Sequence, residues 1–464
     1  MKILYFGGGY VGTCSAAASA DSGHQILVYD INSELVKRLS SQDRDVIESC
    51  LFEEGLGELV VRNRSRIKFT DNISEAEQFV DEADAVFMCL PTPEKDSTGE
   101  TNLSYYEKAA QNLAAILVKR NNGSQSRYML IVNKSTVPIG MSSKTQKIMD
   151  SAGVKNYSVG ANPEFLIEGK AVKGSVSPQR IVVGAIDKKD FAIFRDIYNR
   201  YTQAPNVDYI EVNPDEAEAG KLLANYMLFN RLANCFDVVG RMCEIFDNLY
   251  FENVRRILIT DNRIGDWGFY DSLFAGGSCL PKDARSLSWQ IRNRGAAADI
   301  VDSALAANQR QLDNFLARAK KELAFSWQGK KVGLLGLSFK RDSDDVRNSP
   351  ALGITEFLLK SDVAEIKAYD PVASDNYFKY FSSREDAKKI CLTYSEIKAM
   401  TNVDALIIAT DWPQFRELYE TMTKYLPQGA LVMDGRRMLT QKYEELAQAG
   451  YNIIAVGSPL IKAA

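Results

Sequence analysis

A glycine-rich turn stands directly between the first apolar segment and an alanine-rich helical pattern. Residues 7–12 read G-G-G-Y-V-G and contain the spacing G-x-G-x-x-G immediately after the apolar run Lys2–Phe6. Glycines at this spacing permit a tight turn and let the backbone approach a pyrophosphate, which the N-terminus of the next helix binds. Because a strand, this turn, a helix (11–22) and a second strand (Gln25–Tyr29) follow in the required order, the pattern predicts a dinucleotide-binding unit.

A carboxylate at the end of the second strand indicates which dinucleotide binds. Asp30 lies eighteen residues after Gly12. Its side chain can accept hydrogen bonds from a ribose 2′-hydroxyl and would repel a 2′-phosphate, so NAD is favoured over NADP. The alternative is a structural turn in which Asp30 caps backbone N–H groups. The residues that this pattern predicts to bind NAD are Gly7, Gly9, Tyr10, Val11, Gly12 and Asp30.

Short apolar segments alternate with helical patterns on both sides of a helical middle region. Segments 85–90, 128–133 and 181–184 continue the series begun by the first two strands, and such alternation predicts a parallel sheet with helices on both faces. Two long helical patterns, 215–247 and 297–322, dominate the middle region. The alternation then resumes at Lys331–Leu335, 364–369, 405–409, 430–433 and 451–455.

These patterns predict an α/β fold in which two Rossmann-like, doubly wound domains are joined by a central helical domain with a long connecting helix. The predicted domains are an N-terminal NAD-binding domain (1–212), a central helical domain that carries a dimer interface (213–325) and a C-terminal Rossmann-like domain (326–464). The C-terminal domain lacks the full dinucleotide glycine pattern. The two α/β domains are therefore not close repeats of each other.

Composition argues against several classes of function. The 464 residues carry a net charge of −4 and no basic stripe, so nucleic acid is not an expected partner. No apolar run approaches the roughly 20 residues that span a bilayer. We therefore expect no membrane segment. The chain opens directly on a strand, so we expect no signal peptide. Seven cysteines without metal-ligand spacing fit a reducing cytoplasm and predict no metal site.

A single histidine restricts the available chemistry. His24 lies in a short Gly23-His24-Gln25 turn and is predicted to be a solvated turn residue. On that interpretation no Ser-His-Asp triad, histidine base or histidine-rich metal site is available. The chemistry must then use Cys, Lys, Asp, Glu, Thr or Asn side chains.

A cysteine stands where a helix is about to begin. Residues 276–283 read G-G-S-C-L-P-K-D, and Pro281 suits the first helical position. The helix N-terminus and Lys282 would favour a thiolate at Cys279, while the two glycines would let the backbone approach a ligand. Cys279 is therefore a candidate nucleophile, and an inert thiol is the equally open alternative. Asp283 either complements the helix dipole or orients a water or a substrate hydroxyl.

Polar side chains at two other strand ends are further candidates. Glu164 and Glu168 follow a strand near 157–160, at the edge where open α/β folds bind ligands. They are either acid–base groups or a solvated loop pair. Ser135 and Thr136 follow another strand, where a hydroxyl would bind a cofactor or a water, or would cap a helix.

Two polar residues share one face of the long central helix. Lys221 and Asn225 are four residues apart and therefore project from the same side. Exposed polar residues would be ordinary at this spacing. A largely buried helix is predicted instead by the neighbouring Leu222, Leu223, Met227 and Leu228.

The motifs also occur in one recognisable order. G-G-G-Y-V-G is followed by K-S-T-V-P, N-P-E-F-L-I-E-G, K-L-L-A-N, G-G-S-C-L-P-K-D and G-L-S-F-K-R-D-S-D-D-V-R. This series closely resembles the UDP-glucose/GDP-mannose dehydrogenase family through nearly the whole chain. Members of that family oxidise the primary alcohol of a sugar nucleotide to a carboxylate and use two NAD per turnover.

The resemblance implies a role for each candidate. Cys279 would capture the aldehyde as a thiohemiacetal, a second hydride transfer would give a thioester, and water would release the acid. Lys221 and Asn225 would stabilise oxyanions. Asp283, Glu168 and Thr136 would position water and move protons. Further cofactor contacts would come from Thr92, Ser135, Lys282 and Arg347. Substrate-binding residues would be Glu164, Phe165, Leu166, Glu168, Lys221, Asn225, Gly276, Lys340, Arg436 and, reaching in from a neighbouring subunit, Arg263.

The same resemblance narrows the substrate. Members that act on N-acetylated sugars usually carry Arg after N-P-E, where this chain has Phe165. UDP-glucose is therefore the expected substrate and UDP-glucuronate the product, with GDP-mannose or a UDP-N-acetylhexosamine as alternatives. The chain departs from the family at Phe274-Ala275, where a glycine and then an aromatic residue usually stand. The expected oligomer is a homodimer or a larger homo-oligomer, with the C-terminal domain binding the UDP-sugar.

Two other classes of function stay open on the sequence. A two-electron hydroxyacid dehydrogenase also uses a Lys-x-x-x-Asn helix face, but it would need neither Cys279 nor the second α/β domain. A non-catalytic NAD-binding regulatory protein would keep the fold alone.

Overall fold

The computed structural model describes residues 1–95, 98–121, 127–270 and 272–464. These residues form two compact units, Met1–Ala224 and Asn225–Ala464. Among the helices in these ranges, none is both long and apolar enough to cross a bilayer.

The first unit is built around an eight-stranded sheet. Its strands are β1 (Lys2–Phe6), β2 (Gln25–Tyr29), β3 (Ile67–Thr70), β4 (Ala85–Met88), β5 (Met129–Asn133), β6 (Tyr157–Ala161), β7 (Arg180–Gly184) and β8 (Asp208–Val212). Their spatial order is β3-β2-β1-β4-β5-β6-β7-β8. The first six strands thus have the order of the dinucleotide-binding fold, as the glycine turn predicted. The one departure from a parallel sheet is the antiparallel pairing of β6 with β7.

Helices connect these strands. They are α1 (Tyr10–Asp21), α2 (Ser33–Leu39), α3 (Arg44–Leu51), α4 (Leu56–Arg62), α5 (Ile73–Val80), α6 (Ser104–Asn121), α7 (Met141–Ala152), α8 (Ala171–Val176) and α9 (Lys188–Ile197). The central strands β1, β4 and β5 are buried almost from end to end. Their continuous apolar sequences follow from this, because a parallel sheet is covered on both faces.

The long helix α10 (Pro214–Asn234) spans the division between the two units. The sequence predicted one helix over 215–247. The structure instead ends α10 at Asn234 and continues with a π-helical segment, Cys235–Gly240, and the short helix α11 (Arg241–Ile245). A π turn closes i→i+5 hydrogen bonds and so inserts a residue into the helical spacing, which hydrophobic periodicity alone does not reveal.

The second unit contains a six-stranded parallel sheet. Its strands are β9 (Lys331–Leu335), β10 (Glu365–Tyr369), β11 (Ile390–Leu392), β12 (Ala405–Ile408), β13 (Leu431–Asp434) and β14 (Asn452–Ala455). The spatial order is β11-β10-β9-β12-β13-β14, which repeats the connectivity of the first six strands of the first unit. The second doubly wound sheet predicted from the sequence is therefore confirmed.

The remaining helices of the second unit precede or connect these strands. They are α12 (Phe251–Ile259), α13 (Leu280–Asn293), α14 (Asp299–Leu323), α15 (Pro350–Lys360), α16 (Ser374–Phe381), α17 (Glu396–Met400), α18 (Tyr419–Tyr425) and α19 (Tyr443–Gln448). Short 3₁₀ turns lie at Glu385–Lys389, Pro413–Glu417 and Thr440–Lys442. The helix predicted over 297–322 is α14.

The prediction of a solvated His24 is wrong. The side chain is 4% exposed, and its Nε2 donates to the carbonyl oxygen of Ile197 at 2.9 Å. Burial holds the pKa of His24 below its usual value, so the ring stays neutral at neutral pH. The turn does connect α1 to β2, but the ring packs inward against the end of α9. The histidine therefore serves the fold of the first unit.

The prediction that α10 is largely buried holds for only one side of the helix. Leu222 is 1% exposed, whereas Leu223, Met227 and Leu228 are 47%, 65% and 36% exposed. Leu223 and Met227 are four residues apart and therefore share a face that the single chain leaves open. Lys221 and Asn225, at 5% and 7% exposure, lie on the buried side.

Candidate active site

The glycine turn between β1 and α1 is tight enough to require glycine at two positions. A Cβ built on Gly12 would lie 2.0 Å from the carbonyl oxygen of Gly7, and one on Gly7 would lie 2.1 Å from that of Cys89. Gly9, the N-cap of α1, has open space around it, and no side chain caps the helix. Backbone donors at this N-terminus are thus available to an anion. The turn fits the pyrophosphate of NAD.

Asp30 lies beside the turn, as predicted. Its Oδ2 accepts from the Gly8 amide at 2.6 Å, and its Oδ1 accepts from the Asn32 amide at 2.8 Å. The capping role that the sequence left open is therefore present. A carboxylate has about four acceptor positions, so Asp30 keeps lone pairs for a ribose hydroxyl while it holds the turn.

Substitutions in this turn separate folding from cofactor binding. Gly12→Ala is expected to lower the free energy of unfolding by at least about 2 kcal/mol, because its methyl group would overlap backbone. Gly9→Ala should cost at most about 1 kcal/mol, the usual cost of alanine at an N-cap. It should still weaken NAD binding, because glycine at this position of the motif allows the backbone to approach a pyrophosphate closely and a methyl group would hinder that approach. Thermal melts with and without NAD measure both effects, and a normal melt for Gly12→Ala would contradict the steric argument.

The loops after β4 and β5 are fastened to each other by hydroxyl groups. Ser135 Oγ accepts from the Leu90 amide at 2.7 Å and lies 2.8 Å from the Leu90 carbonyl oxygen. Thr92 Oγ1 donates to the carbonyl oxygen of Thr136 at 2.7 Å. The alternative that Ser135 or Thr136 caps a helix is wrong, because the N-cap of α7 is Gly140.

A buried carboxylate that the sequence analysis missed takes the place of that cap. Glu218, on α10, accepts from the amides of Gly140, Met141 and Ser142 at 2.7, 3.0 and 2.8 Å, and from the Ser142 hydroxyl at 2.6 Å. Glu53 does the same for the amides of Gly169 and Ala171 near α8, at 2.9 and 2.7 Å. The partners are far apart in sequence, so the only available signal was a helix start without a local capping residue.

The loop after β6 brings Glu164 against Lys221. Glu164 Oε1 lies 3.0 Å from Lys221 Nζ, and the two side chains are only 7% and 6% exposed. Glu164 Oε2 accepts from the Leu166 amide at 2.5 Å. The solvated-pair alternative is therefore wrong for Glu164. Glu168, in the turn before α8, is half-buried.

Phe165 is enclosed by two cations. The Arg180 guanidinium carbon lies 4.0 Å from the ring centroid, and Lys221 Nζ lies 5.3 Å from it. Cations at such distances are attracted to the face of an aromatic ring. The residue that follows N-P-E thus packs against the ammonium group predicted to act in the chemistry.

In the second unit, Cys279 lies immediately before α13, as predicted. The helix begins at Leu280, and Pro281 occupies the second helical position. Cys279 is half-buried, is not part of a disulfide, and its Sγ lies 3.6 Å from Ser278 Oγ. The thiol therefore stands at the positive end of a helix dipole.

The glycines before this thiol face protein, which differs from their predicted role of letting backbone approach a ligand. A Cβ on Gly276 would lie 2.2 Å from the Asn348 carbonyl oxygen, and one on Gly277 would lie 2.8 Å from the ring of Phe339. Asn348 Nδ2 also donates to the Gly277 carbonyl oxygen at 3.0 Å. Close packing of the loop after β9 thus explains both glycines.

Asp283 contacts two other residues that the sequence analysis named as candidates, Asn225 and Lys282. It is 1% exposed, its Oδ2 accepts from Asn225 Nδ2 at 2.6 Å, and its Oδ1 lies 2.5 Å from Lys282 Nζ. The Asp283 amide donates to the Cys279 carbonyl oxygen at 2.9 Å. A simple dipole role does not account for two polar partners, one of them the buried Asn225, so Asp283 orients Asn225 next to the helix that begins at the thiol.

The other predicted residues of the second unit lie in separate places. Arg436 donates from Nη1 to Ser272 Oγ at 2.6 Å and lies 2.9 Å from Asp411. Burial opposes ionisation of Asp411, but Arg436 and Arg341 keep the pKa of this carboxyl group below its usual value. Lys340 Nζ lies 5.3 Å from the ring centroid of its neighbour, Phe339. Two predicted arginines are largely exposed and pair with carboxylates two residues away: Arg347 with Asp345 and Arg263 with Asp261.

The chain is similar in sequence to known proteins over most of its length. Three parts of the chain match the UDP-glucose/GDP-mannose dehydrogenase family: its NAD binding domain (1–202), its central domain (215–310) and its UDP binding domain (333–441). The glycine turn and the two doubly wound sheets thus define an NAD-dependent oxidoreductase. The chain belongs to the UDP-glucose/GDP-mannose dehydrogenase family.

The similarity to individual relatives covers nearly the whole chain. It is 31% identical to UDP-glucose 6-dehydrogenase TuaD of Bacillus subtilis, over 99% of this chain and 94% of that protein. It is 30% identical to UDP-glucose 6-dehydrogenase of Gallus gallus, over 98% and 93%. The structure of a UDP-glucose dehydrogenase from Pyrobaculum islandicum superposes with a TM-score of 0.82 at 29% identity and covers 95% of both chains.

Proposed function

We propose that the protein is a UDP-glucose 6-dehydrogenase, which oxidises the C6 primary alcohol of UDP-glucose to the carboxylate of UDP-glucuronate. The observation that carries the proposal is the placement of Cys279 at the start of α13, one turn before a buried Asp283 that holds Asn225. A thiol in that position gives the chain a way to retain an aldehyde between two oxidations. A dehydrogenase that removes only two electrons has no use for it.

The proposed chemistry needs two oxidations and one hydrolysis. NAD, when bound, accepts the hydride in each oxidation. The Cys279 sulfur adds to the aldehyde carbon, and the thiol proton passes to the aldehyde oxygen, which gives a thiohemiacetal. Loss of hydride and a proton then gives a thioester. Water adds to the thioester carbonyl, the carbon–sulfur bond breaks, and the thiolate leaves. Tethering keeps the aldehyde aligned for its second oxidation.

Lys221 and Asn225 are proposed to stabilise the oxyanions of this sequence. Both are buried and lie one turn apart on one side of α10. Fixed donors in a water-poor site stabilise developing negative charge without the reorganisation that water needs. Glu164 keeps the Lys221 ammonium in place at 3.0 Å. Asp283, Glu168 and Thr136 are proposed to position water and carry protons.

Contacts to the cofactor and to the sugar nucleotide are proposed for two separate sets of residues. The cofactor contacts are proposed for residues 7–12, Asp30, Thr92, Ser135, Lys282 and Arg347. The sugar nucleotide is proposed to contact Phe165, Leu166, Gly276, Lys340 and Arg436, with Arg263 contributed by a neighbouring subunit. The UDP-glucose assignment over GDP-mannose or an N-acetylated sugar is supported by Phe165 and by full-length similarity to UDP-glucose 6-dehydrogenases.

A homodimer or larger homo-oligomer is proposed from exposed apolar side chains of the central region. Their exposed fractions are 47% for Leu223, 65% for Met227, 62% for Ile245, 52% for Phe246 and 72% for Ile257. Exposed apolar side chains are typical of surfaces that associate when they form a continuous patch. Three functional domains are also proposed, with the bounds 1–212, 213–325 and 326–464. A cytoplasmic location is proposed as well, and it is supported by the seven cysteines, which are all free thiols.

The proposal is tested by product stoichiometry. Purified protein supplied with UDP-glucose and NAD should form two NADH for each sugar consumed, because alcohol and aldehyde are both oxidised. Parallel assays with GDP-mannose and UDP-N-acetylglucosamine should give lower kcat/KM values. One NADH per sugar would overturn the four-electron reaction and favour a two-electron dehydrogenase.

A further inference from the structure

One buried cation of the first unit has no role in the reaction described so far. Lys134 follows β5 directly and begins the Lys134-Ser135-Thr136 segment. It is only 7% exposed. Burying an ammonium group is costly unless it is paired and hydrogen-bonded, so its position calls for a function.

The Lys134 ammonium fastens two loops to each other. Its Nζ donates to Asn162 Oδ1 at 2.8 Å, and Asn162 Nδ2 donates to the Val182 carbonyl oxygen at 2.7 Å. The same Oδ1 also accepts from the hydroxyl of Tyr198, which follows α9, at 2.5 Å. Asn162 stands two residues before Glu164. The loop that places Glu164 is therefore anchored to the β5 loop by a charged group.

Electrostatic interactions link Lys134 to Glu164 and to Lys221 on α10. The ionisable groups that face Lys134 are the Cys89 thiol after β4, Glu164 and Lys221. Burial raises the pKa of Cys89 to about 12, so this thiol stays neutral. Glu164 is thus the one carboxylate among these groups: it lies 3.0 Å from the Lys221 ammonium and also attracts the Lys134 ammonium through its charge. The attraction of Lys134 therefore helps to hold Glu164 where it contacts the Lys221 ammonium.

We propose that Lys134 is a positioning residue for the oxidation: its buried ammonium group fixes the loop 162–166, which carries the Glu164 that pairs with Lys221. The inference rests on the proposed dehydrogenase activity. Lys134 touches neither the sulfur nor the substrate in this role. It acts through Asn162 and Glu164, so its loss should lower kcat and leave the KM for NAD nearly unchanged.

The proposal is tested with Lys134→Met and Lys134→Gln, which remove the charge in two different shapes. We expect kcat to fall by about 10 to 100-fold, since misplacement of a reacting group by about 1 Å costs up to about 100-fold. Tyr198→Phe is the matched control. It removes a neutral hydrogen bond to the same Asn162 oxygen, so it should lower thermal stability to a similar extent while kcat stays within about twofold.

The pH dependence separates positioning by charge from packing. Burial lowers the pKa of Lys134 to about 8, although the charge of the Glu164 carboxylate opposes that shift. Below that pH the ammonium is present, and above it the amine is neutral. The ratio of wild-type kcat to that of Lys134→Gln should therefore be large at pH 7 and fall toward one as the pH rises past about 8.

The two proposals fail in different ways. Wild-type protein that forms no NADH from UDP-glucose would overturn the proposed function. Active wild-type protein with a kcat ratio that is the same at every pH, or variants with normal kcat, would overturn the role of Lys134 alone. A loss of kcat in Tyr198→Phe equal to that in Lys134→Met would also overturn it, because the hydrogen bond and not the charge would then be responsible.

Discussion

Cys279→Ser should form almost no UDP-glucuronate, with kcat lowered by roughly three orders of magnitude or more. A serine hydroxyl at the start of α13 is a much poorer nucleophile than a thiol near neutral pH, so the aldehyde would not be retained. The measurement is NADH formed per sugar with UDP-glucose as the substrate.

Cys391→Ser is the matched control for this substitution. Cys391 is exposed and lies on β11, so its replacement should leave kcat within about twofold of the wild-type value. Near-normal turnover by Cys279→Ser would remove this thiol from the mechanism. It would leave the NAD-binding fold without the feature that distinguishes a four-electron enzyme.

Lys221→Met should lower kcat by about 100 to 1,000-fold, the usual effect of removing one oxyanion donor. The same change leaves the Glu164 carboxylate buried without its ammonium partner at 3.0 Å. Breaking a buried ion pair in this way costs about 3 to 5 kcal/mol of stability. Loss of activity could therefore arise from unfolding as well as from chemistry.

A second substitution separates the two effects. The double variant Lys221→Met with Glu164→Gln removes the buried charge, so much of the lost stability should return while kcat stays low. Thermal melts and steady-state rates on the single and double variants give both quantities. Recovery of kcat along with stability would show that Lys221 only supports the fold.

Local sequence patterns predicted the parts of this protein that depend on local chemistry. The glycine turn, the strand pairs that flank it and the start of α13 at Cys279 follow from residue order, because turns and helix starts are determined within a few residues. The two glycines before Cys279 were identified correctly as necessary, but the sequence analysis assigned their close approach to a ligand, whereas they approach other residues of the chain. The contact with Phe339 and Asn348 comes from a loop about 60 to 70 residues further along.

The remaining site residues depend on contacts that no local pattern contains. Glu218 and Glu53 cap helices that are 76 or more residues away along the chain. Lys134 pairs with Asn162 across two strands, and His24 is buried against the end of a helix more than 170 residues later. Glu, Lys and Asn side chains are usually exposed and His side chains are of intermediate burial, so only the folded sheet reveals that these are enclosed.

The hydrogen bonds of the Glu218 carboxylate fix the position of α10 along its own axis. It lies three residues before Lys221 on α10 and is bonded to the opening turn of α7, which follows the loop that carries Thr136. Sliding α10 by one turn, about 5.4 Å, would break four hydrogen bonds at once. The position of Lys221 along the axis of α10 is thereby fixed. Its ammonium group therefore moves by rotation about the bonds of its own side chain.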